Sequence, residues 1–154
     1  MRVLRASGAL FLLFFLMAGC DLLQDASAVK GEIQGLVKQF AEAAQKYVSV
    51  MLAMYEQGPA TVFIGNGQIE RGIEAIRKNA DANLVGTLGR FRFDLGSIEV
   101  TSMESGYALA VTPFVMTENP SAAFSRPIKG VSTLVWKNTP EGWKVIYEHE
   151  SYQP

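Results

Sequence analysis

Gly130–Tyr152 reads GVSTLVWKNTPEGWKVIYEHESY, and the reading of this stretch decides the fold. Two runs of β-branched and aromatic residues, Val131 to Trp136 and Trp143 to Tyr147, flank a segment holding the turn formers Asn138, Pro140 and Gly142. That is the pattern of a β-hairpin. Side chains alternate along a strand. Strict alternation puts Trp143, Val145, Tyr147, His149 and Ser151 on one face of the second arm, the expected wall of a core or pocket. Lys144, Ile146, Glu148, Glu150 and Tyr152 take the other face, where the two glutamates are expected to be solvated or at a subunit contact.

Upstream, Arg90 to Asp94, Ser97 to Met103, Gly106 to Met116 and Lys129 to Lys137 read as further strands, with a hairpin across Glu104-Ser105-Gly106. The link TENPSAAFSRP from Thr117 is loose and polar, with Phe124 as its hydrophobic anchor. Before the strands, Ile33, Leu36, Val37, Phe40, Ala44, Tyr47, Val48, Met51, Leu52 and Tyr55 recur in steps of three and four, a helical stripe wide enough for a core face. It is one long helix, or two with a break near Gln45. Gly58 and Pro59 end it, Ala60 to Ile64 is a short strand, and Gly65-Asn66-Gly67 is a tight turn. Residues 71–84 form the next helix, with Ile73, Ile76, Ala80 and Leu84 inward. Helices followed by meandering strands make an α+β domain.

The closing GWKVIYEHESY, the helix ending in MYEQGPATVFIGNG and the helix introduced by GIEAIR together resemble the nuclear transport factor 2-like (NTF2-like, cystatin-like) superfamily, in its SnoaL-like and DUF4440-like branch. The resemblance covers residues 29–152. It implies a cone, a strongly curved antiparallel sheet wrapped around N-terminal helices and a deep cavity. It implies little about chemistry, because members include isomerases, dehydratases, cyclases, hydrolases and non-enzymatic binding or assembly domains. Many form homodimers through the outer sheet face, here expected to carry Val131, Val135 and Ile146.

The chain opens with a short basic region (Arg2, Arg5), an apolar run from Ala9 to Ala18, and Gly19-Cys20. This is secretory signal architecture, too short for a spanning helix. LMAGC resembles the lipobox of bacterial lipoproteins, in which Cys20 is acylated (palmitate-type chains) and becomes the new N-terminus. The expected organisation is a signal peptide over 1–19, a tether over 20–28 and an NTF2-like domain over 29–154. The expected location is outside the cytoplasm on a bacterial membrane, on the periplasmic side of the inner membrane if the cell is Gram-negative, as Asp21 suggests. Loss of Arg2 and Arg5 leaves 12 of the 14 basic residues against all 15 acidic ones, a net charge near −3. Such a balance, without a basic cluster, argues against nucleic-acid binding. Cys20 is the single cysteine and His149 the single histidine, so no transition-metal cluster is expected and no cofactor is implied.

His149 is the sharpest candidate for a site, being titratable near neutrality. It is joined as a ligand-binding candidate by Tyr147, Tyr55, Tyr107 and Arg92. The resemblance also tests known chemistries. The steroid-isomerase base falls on Ile64 and its tyrosine donor on Phe40, neither of which can serve. The Asp, Arg, Asp set of limonene-type epoxide hydrolysis is not rebuilt by Arg92 and Asp94, read as lying on alternate faces. The expected function is a membrane-tethered protein that binds a hydrophobic, uncharged or weakly anionic small molecule. The alternatives are a cofactor-free isomerase, dehydratase or cyclase acting on a hydrophobic carbonyl compound, with His149 as the catalytic candidate, and a structural or assembly domain. What discriminates them is whether a base and a donor converge inside the cavity.

Overall fold

The computed structural model describes residues 26–88, 90–118 and 127–153. The expected signal segment 1–19, Cys20, most of the tether and Phe124 lie outside the described residues. Helix α1 (Ala26–Lys46) takes in the last three residues read as tether and buries Val29, Ile33, Val37, Phe40 and Ala43 along one stripe. The helix is interrupted at Tyr47, whose φ of −143° and ψ of 73° are not helical, and resumes as α2 (Val48–Ala53). No glycine marks this break. Instead Gln45, two residues before it, is engaged outside the helix, its Oε1 accepting the backbone N–H of Phe93 at 3.1 Å.

Strands β1 (Val62–Gly65) and β2 (Gln68–Arg71) form a hairpin closed by Asn66 and Gly67, with φ of 51° and 73°. Two consecutive left-handed residues match the right-handed twist of the flanking strands. β2 was not anticipated, because QIER has neither a β-branched run nor alternation long enough to read; the turn creates it. Helix α3 (Ile73–Asn83) follows, burying Ile73, Ile76 and Ala80. β3 (Phe91–Leu95), β4 (Glu99–Met103), β5 (Tyr107–Glu118), β6 (Pro127–Thr139) and β7 (Gly142–Tyr152) complete the described strands. The β4–β5 hairpin turns at Ser105 and Gly106, both at positive φ.

The order is β2-β1-β7-β6-β5-β3, with β4 also paired to β5. β5 is long enough to pair β4 through residues 107–111 and β3 through residues 114–118. β1 runs parallel to β7, the other pairings being antiparallel. The sheet corrects the expectation of a strongly curved cone: it is open, with β2 and β3 as unjoined edges, and is neither closed nor strongly curled. Strong curvature is built with repeated bulges. The long pairings of β5, β6 and β7 contain a single register shift, between Val135 and Trp136.

That shift rearranges the last strand. Trp136 faces Val145 and Val135 faces Tyr147, leaving Ile146 as an extra residue on β7. An odd residue reverses the face of everything beyond it. Trp143 and Val145 point to the helices as read from the sequence, but beyond the bulge it is Glu148 that is buried while His149 and Ser151 are exposed. The strict alternation expected from Trp143 to Ser151 is therefore corrected at Ile146.

Candidate functional site

Three cross-strand rows on the inner sheet face, Ala110-Leu134-Glu148, Thr112-Ser132-Glu150 and Phe114-Gly130-Tyr152, form the floor of a cavity. α1 closes it with Val37, Phe40, Ala41 and Ala44, and α3 with Ile76, Asn79, Ala80 and Asn83. Its volume is about 250 Å3, the space of about eight waters at roughly 30 Å3 each. Phe63, Phe91, Phe93 and Phe114 add aromatic wall. Gly130 is required here: a Cβ at that position would lie 2.5 Å from Cζ of Phe114 and 2.6 Å from the carbonyl oxygen of Ser151. Its absence lets the Phe114 ring lie across β6, edge-on to Tyr152 with centroids 5.8 Å apart.

Two acid–phenol pairs converge on this space. Tyr55, 1% exposed, leaves α2 and is held against β7 by a backbone bridge to Val145. Its ring meets Phe40 edge-on at 5.5 Å, and its hydroxyl donates to Oε2 of Glu148, which is 3% exposed. Two residues on, the Tyr152 hydroxyl donates to Oε2 of Glu150. Burial, reinforced by the charge of Glu150, pushes the Glu148 carboxyl up to about 8 against the pull of the Tyr55 hydrogen bond. Burial raises Glu150 too, opposed by the Tyr152 hydrogen bond and by His149. Both phenols are raised in turn, first by burial and then by the adjoining carboxylates. The site therefore holds carboxyls that keep their protons to unusually high pH and can take up or release one near neutrality.

Of the residues expected from sequence, Tyr55 is in the cavity wall; His149, Tyr147, Tyr107 and Arg92 do not line it. His149 stands exposed on the outer face opposite Thr133 and Ile64. Tyr147 is on that face between Val135 and Val62, and Tyr107 pairs with Lys137 and Met103 at the far end of β5. Arg92 and Asp94 share one exposed face rather than alternating, and form an ion pair at 2.9 Å. Glu148, Glu150 and Tyr152 were missed. Their common spacing of two was visible, but only the bulge at Ile146 turns that row inward. Among the described residues no group of three or more His, Cys, Asp or Glu side chains is placed to hold a metal ion, and no helix is long and apolar enough to cross a membrane.

Open sheet, helices on one face and a pocket between them define the class as NTF2-like, cystatin-like. Within it the chain belongs to the AtzH-like family, whose model matches residues 23–154. The family model that matches is thus not that of the SnoaL-like or DUF4440-like branch expected from the sequence. The fold is similar to that of a DUF3225-family protein of unknown function from Pectobacterium atrosepticum, at 23% identity over 86% of this chain and 99% of that one, with a TM-score of 0.67. It is similar also to an NTF2-like superfamily protein from Salmonella enterica, at 21% identity over 83% and 93%, TM-score 0.68. An NTF2-like protein with a cystatin-like fold from Novosphingobium aromaticivorans aligns at 18% identity over 78% and 79%, TM-score 0.66. No curated protein matches the chain.

Proposed function

We propose that the protein binds a compact, mostly apolar small molecule in the pocket between α1, α3 and the inner sheet face. The observation that carries this reading is the make-up of that space: aromatic and aliphatic walls with carboxyl and hydroxyl groups gathered on one side, the ordinary form of a small-molecule site. No Lys, Arg or His stands among the described lining residues, so an anionic ligand finds no counter-charge there. His149 has no orienting role in this reading. The pocket can be filled to test it. Ala44 is half-buried on its wall, so Ala44→Phe occupies the space at little cost to the fold. In calorimetry with cyclohexanone, cyclohexanol and benzyl alcohol, wild type is expected to bind at least one, and the variant to lose about tenfold or more in affinity, roughly 1.4 kcal/mol. Unchanged affinity in the filled variant counts against the pocket.

The Tyr55–Glu148 pair favours a second reading, a cofactor-free isomerase or dehydratase acting on a hydrophobic carbonyl compound. A carboxyl titrating at about 8 beside a buried phenol supports a proton shuttle and a hydrogen-bond donor in one place. Cyclohexanone incubated in D2O would then exchange its α-protons with wild type and not with Glu148→Gln; no exchange with wild type removes this reading.

Tethering belongs to the proposal as well. The signal peptide over 1–19, acylation at Cys20 and a mature domain from residue 29 would hold the pocket outside the cytoplasm against a membrane. Two acyl chains anchor stably where one binds only marginally. The outer sheet face presents Val131, Val135 and Tyr147 away from the helices, which favours a homodimer with the two sheets face to face. Native mass measurement of membrane-extracted protein is expected to give a dimer of acylated chains lacking residues 1–19. An unmodified Cys20 thiol argues against the anchor, and a monomer at tens of micromolar against the dimer.

A further inference from the structure

Glu148 and Glu150 face the pocket, and no Lys, Arg or His stands beside them among the described lining residues. Each carboxyl receives one tyrosine hydroxyl, on Oε2, and neither Oε1 accepts a hydrogen bond from the described residues. The other polar groups lining the pocket are Tyr55 and Tyr152, Asn66 of the β1–β2 turn, Asn79 and Asn83 of α3, Thr112 of β5 and Ser132 of β6; α1, β1 and β3 contribute apolar side chains alone to the wall. The charged residues of β3, Arg92 and Asp94, pair with each other in solvent, and His149 is on the outer face. The cavity is thus lined with acids and, among the described residues, holds no cationic side chain.

Ser132 points independently to a ligand. It is 8% exposed, lines the cavity between Thr112 and Glu150, and its hydroxyl makes no hydrogen bond with the described residues. The Oγ opens onto the cavity instead of being sealed in the core, so a molecule in that space can hydrogen-bond to it. Around this corner stand the rings of Phe40, Phe63, Phe91, Phe93 and Phe114, whose π faces attract cations.

We infer that the pocket takes a primary organic ammonium, its three N–H groups donated to Glu148, Glu150 and the Ser132 hydroxyl and its apolar body packed among the phenylalanines. The inference rests on the pocket being a small-molecule site. It carries a signature that a neutral ligand lacks. In the empty site burial and the charge of Glu150 hold the proton on Glu148 up to about pH 8, and burial raises the Glu150 carboxyl in the same direction. An arriving R–NH3+ converts a buried carboxylic acid to a carboxylate, and the displaced proton leaves to solvent. Binding therefore releases acid and tightens as the pH rises toward 8.

The test is calorimetry of the full-length protein with phenethylamine, phenethyl alcohol and phenylacetate in phosphate and in HEPES, buffers of different ionisation enthalpy that contain no primary or secondary amine. The amine is expected to bind about tenfold or more tightly than the alcohol, with a buffer-dependent heat corresponding to proton release, and phenylacetate to bind weakest. Glu148→Gln and Glu150→Gln, each keeping the shape of the protonated acid, are expected to bring the affinity for the amine down to that for the alcohol and to remove the buffer-dependent heat. Alcohol binding as tight as the amine, or a heat independent of buffer, overturns the ammonium inference and leaves the pocket reading intact. Silence from all three probes overturns both.

Discussion

Between about pH 4.5 and pH 8 the protein is expected to lose stability as the pH rises, the reverse of the usual behaviour of a carboxylate held in an ion pair. The sign follows from Glu148. Its carboxyl titrates near 4.5 when free and at about 8 in the folded protein. Below the first value both states hold the proton and above the second neither does; between them the folded state binds one more proton than the unfolded chain. Stability then falls by up to about 1.4 kcal/mol for each pH unit across that window. Glu150, raised in the same direction, adds to the slope. Glu148→Gln keeps the shape, accepts the Tyr55 hydroxyl through its amide oxygen and has no proton to lose. The variant is expected to show a flatter profile and to exceed wild type near pH 8. Urea unfolding at half-unit steps from pH 5 to 8 measures both proteins. A wild-type stability that is level or rising through the window would show that Glu148 is ionised in the folded state, and the account of the site as a proton reservoir would fail.

How far the sequence reveals this arrangement depends on how local its cause is. The α1 stripe, the β4–β5 turn at Ser105-Gly106 and the β6–β7 hairpin are each dictated by residues within one or two turns of each other, and each is legible. The break at Tyr47 coincides with a docking of Gln45 onto β3, nearly fifty residues away, and periodicity carries no mark of it. The site fails to be legible for a sharper reason. Strict alternation from Trp143 selects His149, whereas one extra residue at Ile146 selects Glu148, Glu150 and Tyr152. A bulge is set by the register of β6 against β7 and by β1 joining the other side of β7, so nothing inside YEHESY announces it. The same residue types that read as a solvated face become the polar corner of a pocket. The strong curvature expected of the sheet fails for a related reason: family resemblance transmits the layer order of the fold, while curvature depends on how many such bulges a particular chain contains.

The second large effect is expected at Trp136, where the core supports the site. Its indole is 0% exposed on the inner face of β6, between Ala108 of β5 and Val145 of β7, both also fully buried. The small side chain of Ala108 leaves the room that the indole fills. Phe40 meets the indole edge-on at 6.4 Å and carries Tyr55 on its other contact at 5.5 Å. Trp136→Ala opens a cavity under that stack, and the expected loss is about 3–5 kcal/mol, a large share of the roughly 5–15 kcal/mol that holds a domain of this size. Trp136→Phe is expected to behave differently. The indole Nε1 is buried without a hydrogen-bond partner among the described residues, and an unmet buried donor costs about 1–3 kcal/mol. Removing it offsets much of the packing lost with the smaller ring, so this variant should fall about 1 kcal/mol or less below wild type. Function should divide the same way. Without a floor Phe40 settles into the cavity and the Tyr55–Glu148 pair loosens, so ligand affinity is expected to fall in Trp136→Ala and to persist in Trp136→Phe. Urea unfolding and pocket-ligand calorimetry on the two variants provide the measurement. Equal losses of stability in both would mean that the indole nitrogen is satisfied in solution, and an unchanged affinity in Trp136→Ala would mean that the stack does not position Tyr55.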